Sequence, residues 1–236
     1  VYADTIADSL MTIMTNRTYG PTTVGWRLGM SNSDGTNGEL QLVLWDSSHA
    51  TDVVYSTNAI SASTWHHIAY VWDGTDNHSV YIDGTRGINH TASDTAASTG
   101  NFYIGEETGG TGRDWDGNID ELRISDTARY SGASFTAPTA PFVNDDNTKL
   151  LLHMNGTDGS TFFEDDNGVG RSAIGLSAVG NAQVDTAESK FGGASALFDG
   201  TGDYIVVSAG DGTTDFSGDF TIEGWFYSND VTANAK

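Results

Sequence analysis

Trp65-His66-His67-Ile68-Ala69-Tyr70-Val71-Trp72, then Asp73-Gly74-Thr75-Asp76-Asn77, then Ser79-Val80-Tyr81-Ile82-Asp83-Gly84, is the passage on which the fold turns. Two runs of aromatic and β-branched residues flank five consecutive turn formers, the pattern of a β-hairpin. Ile68 to Trp72 is apolar at consecutive positions, so both faces of that strand are covered, as in the interior of a layered sheet. Working outward, short runs of the same kind recur at Gly25 to Met30, Leu40 to Trp45, Phe102 to Ile104 and Ile119 to Ile124. They return at Leu150 to Met154, Ala196 to Phe198, Tyr204 to Val207 and Phe220 to Tyr227. Asp34-Gly35 with Asn37-Gly38 marks a second hairpin turn. Helical periodicity is nearly absent, and the expected fold class is all-β, a two-sheet antiparallel β-sandwich.

The chain has 236 residues, with 32 acidic side chains against 10 basic and a net charge of −22. That balance argues against nucleic acid as a partner, because affinity for phosphates comes from Lys and Arg. It argues equally against an anionic membrane surface, and no apolar run is long enough for insertion. The absence of cysteine excludes disulfide scaffolds, thiolate metal sites and thiol catalysis. The acid is mostly Asp, which favours turns and offers hard oxygen ligands. Val1-Tyr2-Ala3-Asp4 has neither the charged start nor the apolar run of a leader and no initiator Met, so the chain reads as an excerpt of something longer.

Between Thr136 and Asn147 the strand pattern stops. Thr-Ala-Pro-Thr-Ala-Pro followed by Asn144-Asp145-Asp146 has the composition of a stiff, polar connector. The chain is thereby divided into residues 1–137, a linker at 138–147 and residues 148–236, with a short helical or 3₁₀ turn expected at Asp126 to Arg129.

The hairpin at Trp65 to Gly84 resembles the central hairpin of laminin G-like domains, within the concanavalin A-like lectin/glucanase jelly rolls. Phe102-Tyr103-Ile104-Gly105 and Gly117-Asn118-Ile119-Asp120-Glu121-Leu122-Arg123-Ile124 resemble that family's closing strands. Lys190-Phe191-Gly192-Gly193-Ala194-Ser195-Ala196-Leu197-Phe198-Asp199-Gly200, Asp203-Tyr204-Ile205 and Phe220-Thr221-Ile222-Glu223-Gly224-Trp225 resemble its opening strands. Here the closing strands come first, so the resemblance implies a circularly permuted jelly roll: residues 1–137 are the C-terminal part and 148–236 the N-terminal part of one domain's worth. Val1 to Ile6 can be laid on Phe226 to Val231, which fits a tandem array with that period. Neither half buries both faces of a sandwich alone. They either close on each other or complete neighbouring copies of the same domain.

Glycoside hydrolysis needs paired carboxyls, as in the Glu-x-Asp-x-x-Glu run of the glucanase branch, and this sequence has none. Asp120-Glu121 and Glu106-Glu107 are adjacent, hence on opposite strand faces. No catalytic residue is assigned and the chain reads as a non-enzyme. The resemblance implies structural calcium, with Asp120 and the loop Glu164-Asp165-Asp166-Asn167-Gly168 as ligands. Asp199 is a further ligand or a plain turn residue, as is Asp203. Sugar binding would use Trp115 between Asp114 and Asp116, and Trp45. Trp115 has only polar sequence neighbours, so its ring either faces solvent for stacking or plugs the loop from beneath. The six His show no metal spacing, and Gly105 to Gly110 carries acid and opens no helix, so it is no phosphate loop. The expected function is a non-catalytic recognition or adhesion module on an extracellular or virion surface, binding a glycan or cell-surface polymer. The alternatives are a structural self-associating domain and, behind it, a polysaccharide hydrolase.

Overall fold

The computed structural model describes residues 10–17, 24–31, 37–46, 51–92, 100–107, 112–166, 175–208 and 218–232. Fifteen strands are found there and no helix: β1 Leu10–Thr15, β2 Gly25–Ser31, β3 Glu39–Trp45, β4 Thr51–Ala59, β5 Trp65–Trp72, β6 Asn77–Ile82, β7 Thr85–Thr91 and β8 Phe102–Ile104. They continue with β9 Asp116–Ser125, β10 Thr148–Leu152, β11 Leu176–Val179, β12 Gln183–Asp185, β13 Ser195–Asp199, β14 Tyr204–Val207 and β15 Phe220–Ser228. A seven-stranded sheet runs β11-β14-β8-β1-β2-β3-β4, and an eight-stranded one runs β12-β13-β9-β15-β5-β6-β7 with β10 also on β9. Every pairing is antiparallel, and the two-sheet sandwich read from the sequence is the architecture observed.

The aromatic hairpin at Trp65 to Gly84 is β5–β6. Asp73 makes its turn: one carboxylate oxygen accepts from the Thr75 N–H at 3.0 Å and the Asn77 N–H at 3.1 Å. Where the two sheets face each other, Trp26 of β2 meets Tyr70 of β5 edge-on at 4.8 Å and Phe220 of β15 at 6.2 Å. All three are buried. Rings of this size supply much of the burial that holds two sheets together.

Strands from the two stretches of chain interleave. β15 lies between β5 and β9, with Phe220 opposite Trp72 and Thr221 opposite Ser125. In the other sheet β14 adds to β8, pairing Ile205 with Ile104. Both sheets are therefore built from residues on either side of the Pro138–Pro141 stretch.

That stretch is not a free tether. Residues 126–147 run as a strap over the outer face of the eight-stranded sheet. Tyr130 and Phe135 stack at 3.6 Å between centroids, and both rings lie against Tyr81. Beneath them are Ala69 and Val71. Further along, Phe142 is buried beneath the Arg123 guanidinium, which lies 4.3 Å from its ring centre. Its burial contributes about 2 kcal/mol. Arg129 grips Asp145 with two hydrogen bonds of 2.7 and 2.8 Å, tying the strap's ends together. Gly84 is required where the strap returns: its φ is +78°, and a Cβ there would sit 2.1 Å from the Phe135 carbonyl oxygen. Asp126 to Arg129, expected as a helical turn, is irregular chain. The strap holds Arg129 against β15 instead: its N–H donates to the Thr221 hydroxyl at 2.8 Å.

Beneath the strap a buried polar network joins the segments. The Glu223 carboxylate of β15 accepts from Arg123 of β9 at 2.6 Å and from the Tyr130 hydroxyl at 2.7 Å, and it meets His67 Nε2 of β5 at 3.1 Å. Burial alone would raise the Glu223 pKa. The His67 hydrogen bond and the Arg123 charge outweigh it, and the pKa falls below the usual carboxylate range.

Candidate functional site

Loops bring carboxylates together at one rim of the sandwich. Gly105, with φ +96°, turns the chain out of β8, and the Trp115 N–H returns to its carbonyl at 2.7 Å. This folds Glu106 and Asp114 towards the β13–β14 turn. Asp116 opens β9 directly opposite Asp199, the last residue of β13. The turn Asp199-Gly200-Thr201-Gly202-Asp203 is closed by its own acids. Asp203 accepts from the Asp199 N–H at 3.0 Å and from the Asn181 N–H at 2.7 Å, while Asn181 Nδ2 donates to Asp199 at 3.1 Å. Gly180 has no room for a side chain here: a Cβ would fall 2.3 Å from Asp203 Oδ1. Asn229, just after β15, donates to Asp116 Oδ1 at 2.8 Å.

The electrostatics follow from this crowding. Burial pushes the Glu106 carboxyl up to about 7, and the Asp114 charge adds to the shift. Asp114 is itself raised, by burial first and then by Asp203 and Asp199, although the Gly202 N–H pulls the other way. Asp203 is raised by burial and by the Asp199 charge. The rim thus gathers carboxyl and amide groups: Asp199, Asn181 and Asn229 are exposed and Asp114 half-buried, with Glu106, Asp116 and Asp203 buried beneath them. Such groups accept and donate hydrogen bonds to hydroxyls.

Of the residues expected to bind a ligand, Asp114 and Asp116 lie at this rim, and Asp199, expected as a metal ligand, joins them. Asp203, named beside Asp199 as a ligand or turn residue, lies here too, whereas Glu106, Asn181 and Asn229 were not singled out for it. Trp115 does not face solvent. Its ring is fully buried, edge-on to Phe226 at 6.2 Å, and it plugs the loop from beneath. Trp45 is no open platform either: it is 8% exposed, and the Arg17 guanidinium covers it at 3.8 Å from the ring centre. That guanidinium belongs to a cluster absent from the sequence reading, in which Arg17, Arg27 and Arg113 converge on Glu107. Burial opposes ionisation of Glu107, but the Arg27 and Arg17 charges prevail and its pKa is lowered. Arg27 also reaches Gln41 at 2.9 Å.

The four acids expected to hold calcium are dispersed. Asp199 is paired with Asp116, and Asp120 lies four residues further along β9, roughly 13 Å away. Asp120 is fully buried. Its Oδ2 accepts from the Lys190 and Phe191 N–H groups at 2.8 and 2.9 Å, while Oδ1 has no partner. Burial, with the Glu121 charge behind it, lifts the Asp120 pKa to about 7 against the pull of those N–H groups. Asp165 accepts from the Leu151 N–H at 3.0 Å, and the Asp166 N–H reaches the Leu151 carbonyl, so both belong to the outer edge of β10. Asn167 and Gly168, and the Asp34-Gly35 turn, lie outside the described residues. Among the described residues no group of three or more His, Cys, Asp or Glu is arranged to hold a metal ion. Six to eight oxygens are required for calcium, and the four acids as placed do not offer them.

No curated protein and no solved structure matches the chain. A family model for concanavalin A-like lectin/glucanases does match, over residues 1–132. It covers more than half of the chain, through the strands that carry the hairpin, the rim acids Glu106, Asp114 and Asp116, and all of β9. The superfamily contains both lectins and glucanases, and this chain belongs to it: it is a member of the concanavalin A-like lectin/glucanase superfamily.

Proposed function

We propose that the chain is a non-catalytic recognition module that binds glycan hydroxyls at the acidic rim. The observation that carries this reading is the convergence of Glu106, Asp114, Asp116 and Asp199 with Asn181 and Asn229 at one end of the sandwich. Charge-assisted hydrogen bonds from sugar hydroxyls to such oxygens orient a neutral polymer, and the net charge of −22 disfavours an anionic one. A surface-displayed setting, extracellular or on a virion, suits this chemistry. The order of the halves is read as the back of one repeat followed by the front of the next, and the interleaving of β15 with β5 and β9 supports that reading.

A glycan array probed with the wild-type chain and with Asp114→Asn tests the binding. The expected result is a set of neutral glycans bound by the first and lost or weakened with the second. Binding unchanged by Asp114→Asn, or no binding at all, would remove the rim as the site. Turnover of a polysaccharide that is abolished by Glu106→Gln would instead make the chain a hydrolase.

A further inference from the structure

Where β4 turns into β5, a serine, a histidine and an aspartate meet. Ser61 Oγ lies 2.9 Å from His66 Nε2, and His66 Nδ1 lies 2.7 Å from Asp83 Oδ2. The proton positions follow from the partners. The Ser61 N–H also points at Nε2, at 3.0 Å, and a backbone N–H only donates, so Nε2 carries a lone pair. Nδ1 therefore holds the ring proton and donates it to Asp83. That carboxylate is fixed from its other side, where Oδ1 accepts from the His67 N–H at 2.9 Å. Burial would raise the Asp83 pKa, but the His66 and His67 hydrogen bonds outweigh it and hold the group below the usual carboxylate range. The order hydroxyl, imidazole, carboxylate is that of a nucleophilic serine, with the imidazole in the tautomer that accepts the hydroxyl proton.

The loop that carries Ser61 is anchored on both sides. Before it, the buried Ile60 sends its N–H to the Gly38 carbonyl at 2.9 Å. After it, the Ser63 N–H bonds the Ser228 carbonyl at 2.8 Å, and Ser63 has a φ of +55°. A serine in the left-handed region is strained, as backbone beside reacting groups often is. The Ala62 N–H has no partner among the described residues, and the Ser61 N–H is released once Nε2 takes up a proton. Two consecutive amides are thereby free to face an oxyanion. Ser61 is exposed, so esters reach it from solvent. His90 offers the contrast: its Nε2 meets Asp52 at 3.0 Å, and no hydroxyl meets its other nitrogen among the described residues.

We propose that Ser61 and His66, oriented by Asp83, form an acyl-transfer site that hydrolyses small acyl esters. Ser61 Oγ attacks the ester carbonyl carbon while its proton passes to His66 Nε2. The bond from that carbon to the alkoxy oxygen then breaks, and the alcohol leaves with the proton from Nε2. Water, deprotonated by His66, cleaves the acyl-serine, releases the carboxylic acid and restores the hydroxyl. The rim remains a binding site that does no chemistry. The ester site uses other side chains and its test involves no rim residue, so either reading can fail alone. Asp83 is 47% exposed, so solvent screens the charge behind the imidazole and turnover is slow.

Hydrolysis of p-nitrophenyl acetate, and labelling by a fluorophosphonate followed by peptide mapping, test this on the intact chain. The expected result is a label on Ser61 and ester turnover that falls at least about tenfold in Ser61→Ala and in His66→Gln. His90→Gln should leave the rate unchanged. Asp83→Asn should lower kcat about tenfold with KM constant, far less than the roughly 10⁴-fold loss seen where such an aspartate is buried, and Asp83→Glu should restore part of it. Thermal melts of the variants separate loss of activity from loss of fold, and the labelling needs no variant. No label on Ser61, turnover indifferent to Ser61→Ala, or His90→Gln as damaging as His66→Gln would each overturn the proposal. A label on Ser61 without turnover would overturn the hydrolysis, and a kcat unmoved by Asp83→Asn would overturn the orienting role of Asp83.

Discussion

Replacing Asp120 by Asn should stabilise the protein at pH 8 and leave it nearly unchanged at pH 4. Asp120 is fully buried, and only its Oδ2 is used, accepting two N–H groups from Lys190 and Phe191. Asn keeps an oxygen for those donors and places an amide where Oδ1 now has no partner. The carboxyl is raised from 3.8 to about 7, chiefly by burial. Between those values the folded protein holds a proton that the unfolded chain releases, so wild-type stability falls as pH rises through that window and levels off above it. At 1.36 kcal/mol per pKa unit the ceiling is about 4 kcal/mol. Coupling to buried Glu121 and local relaxation reduce the expected gain to about 2 kcal/mol, roughly 5 °C in melting temperature for a chain of this size. Urea unfolding of both proteins at steps from about pH 4 to pH 8 gives the comparison. Parallel curves across the range would refute the argument that a neutral carboxyl is held in this site. An Asn variant less stable at pH 8 would show that Oδ1 carries a partner that needs its charge.

Glu223→Gln should cost about 3 kcal/mol in denaturant unfolding, because it leaves Arg123 buried against a neutral group and loosens His67 and Tyr130 together. A loss under 1 kcal/mol would mean that the network under the strap is dispensable. Melting temperatures in calcium and in chelator should agree to within about a degree, given the dispersal of Asp120, Asp165, Asp166 and Asp199. A rise of several degrees with calcium would reveal a site that the described residues do not form.

The hairpin was legible because strand character and turn character alternate sharply within a few residues: Trp65–Trp72, then Asp73–Asn77, then Val80–Ile82. β4 and β7 were not, because polar residues hold five of nine positions in the first and five of seven in the second, and the apolar ones set no period. Trp115 shows the limit of local reading. Its sequence neighbours are charged, yet the bond from its N–H to Gly105 folds the loop back and tucks the ring under it. The rim could be read only piecemeal, since the β9–β13 pairing is what brings Asp116 to Asp199. The Arg17, Arg27, Arg113 and Glu107 cluster left no local trace, as its members come from the end of β1, from β2 and from the β8–β9 connection.

The central place of β15 has a consequence for synthesis. β5 and β9 both precede it, and about a hundred residues separate Ser125 from Ser228. At roughly 5–20 residues per second a ribosome needs about 5–20 s to cross that distance. During that interval the two strands wait with adjoining edges unpaired, and no local contact can substitute for the late arrival. Folding of the eight-stranded sheet is therefore bound to a strand made about a hundred residues after β9, a high contact order that makes it slow. The nascent chain meets its greatest risk of aggregation just before β15 emerges.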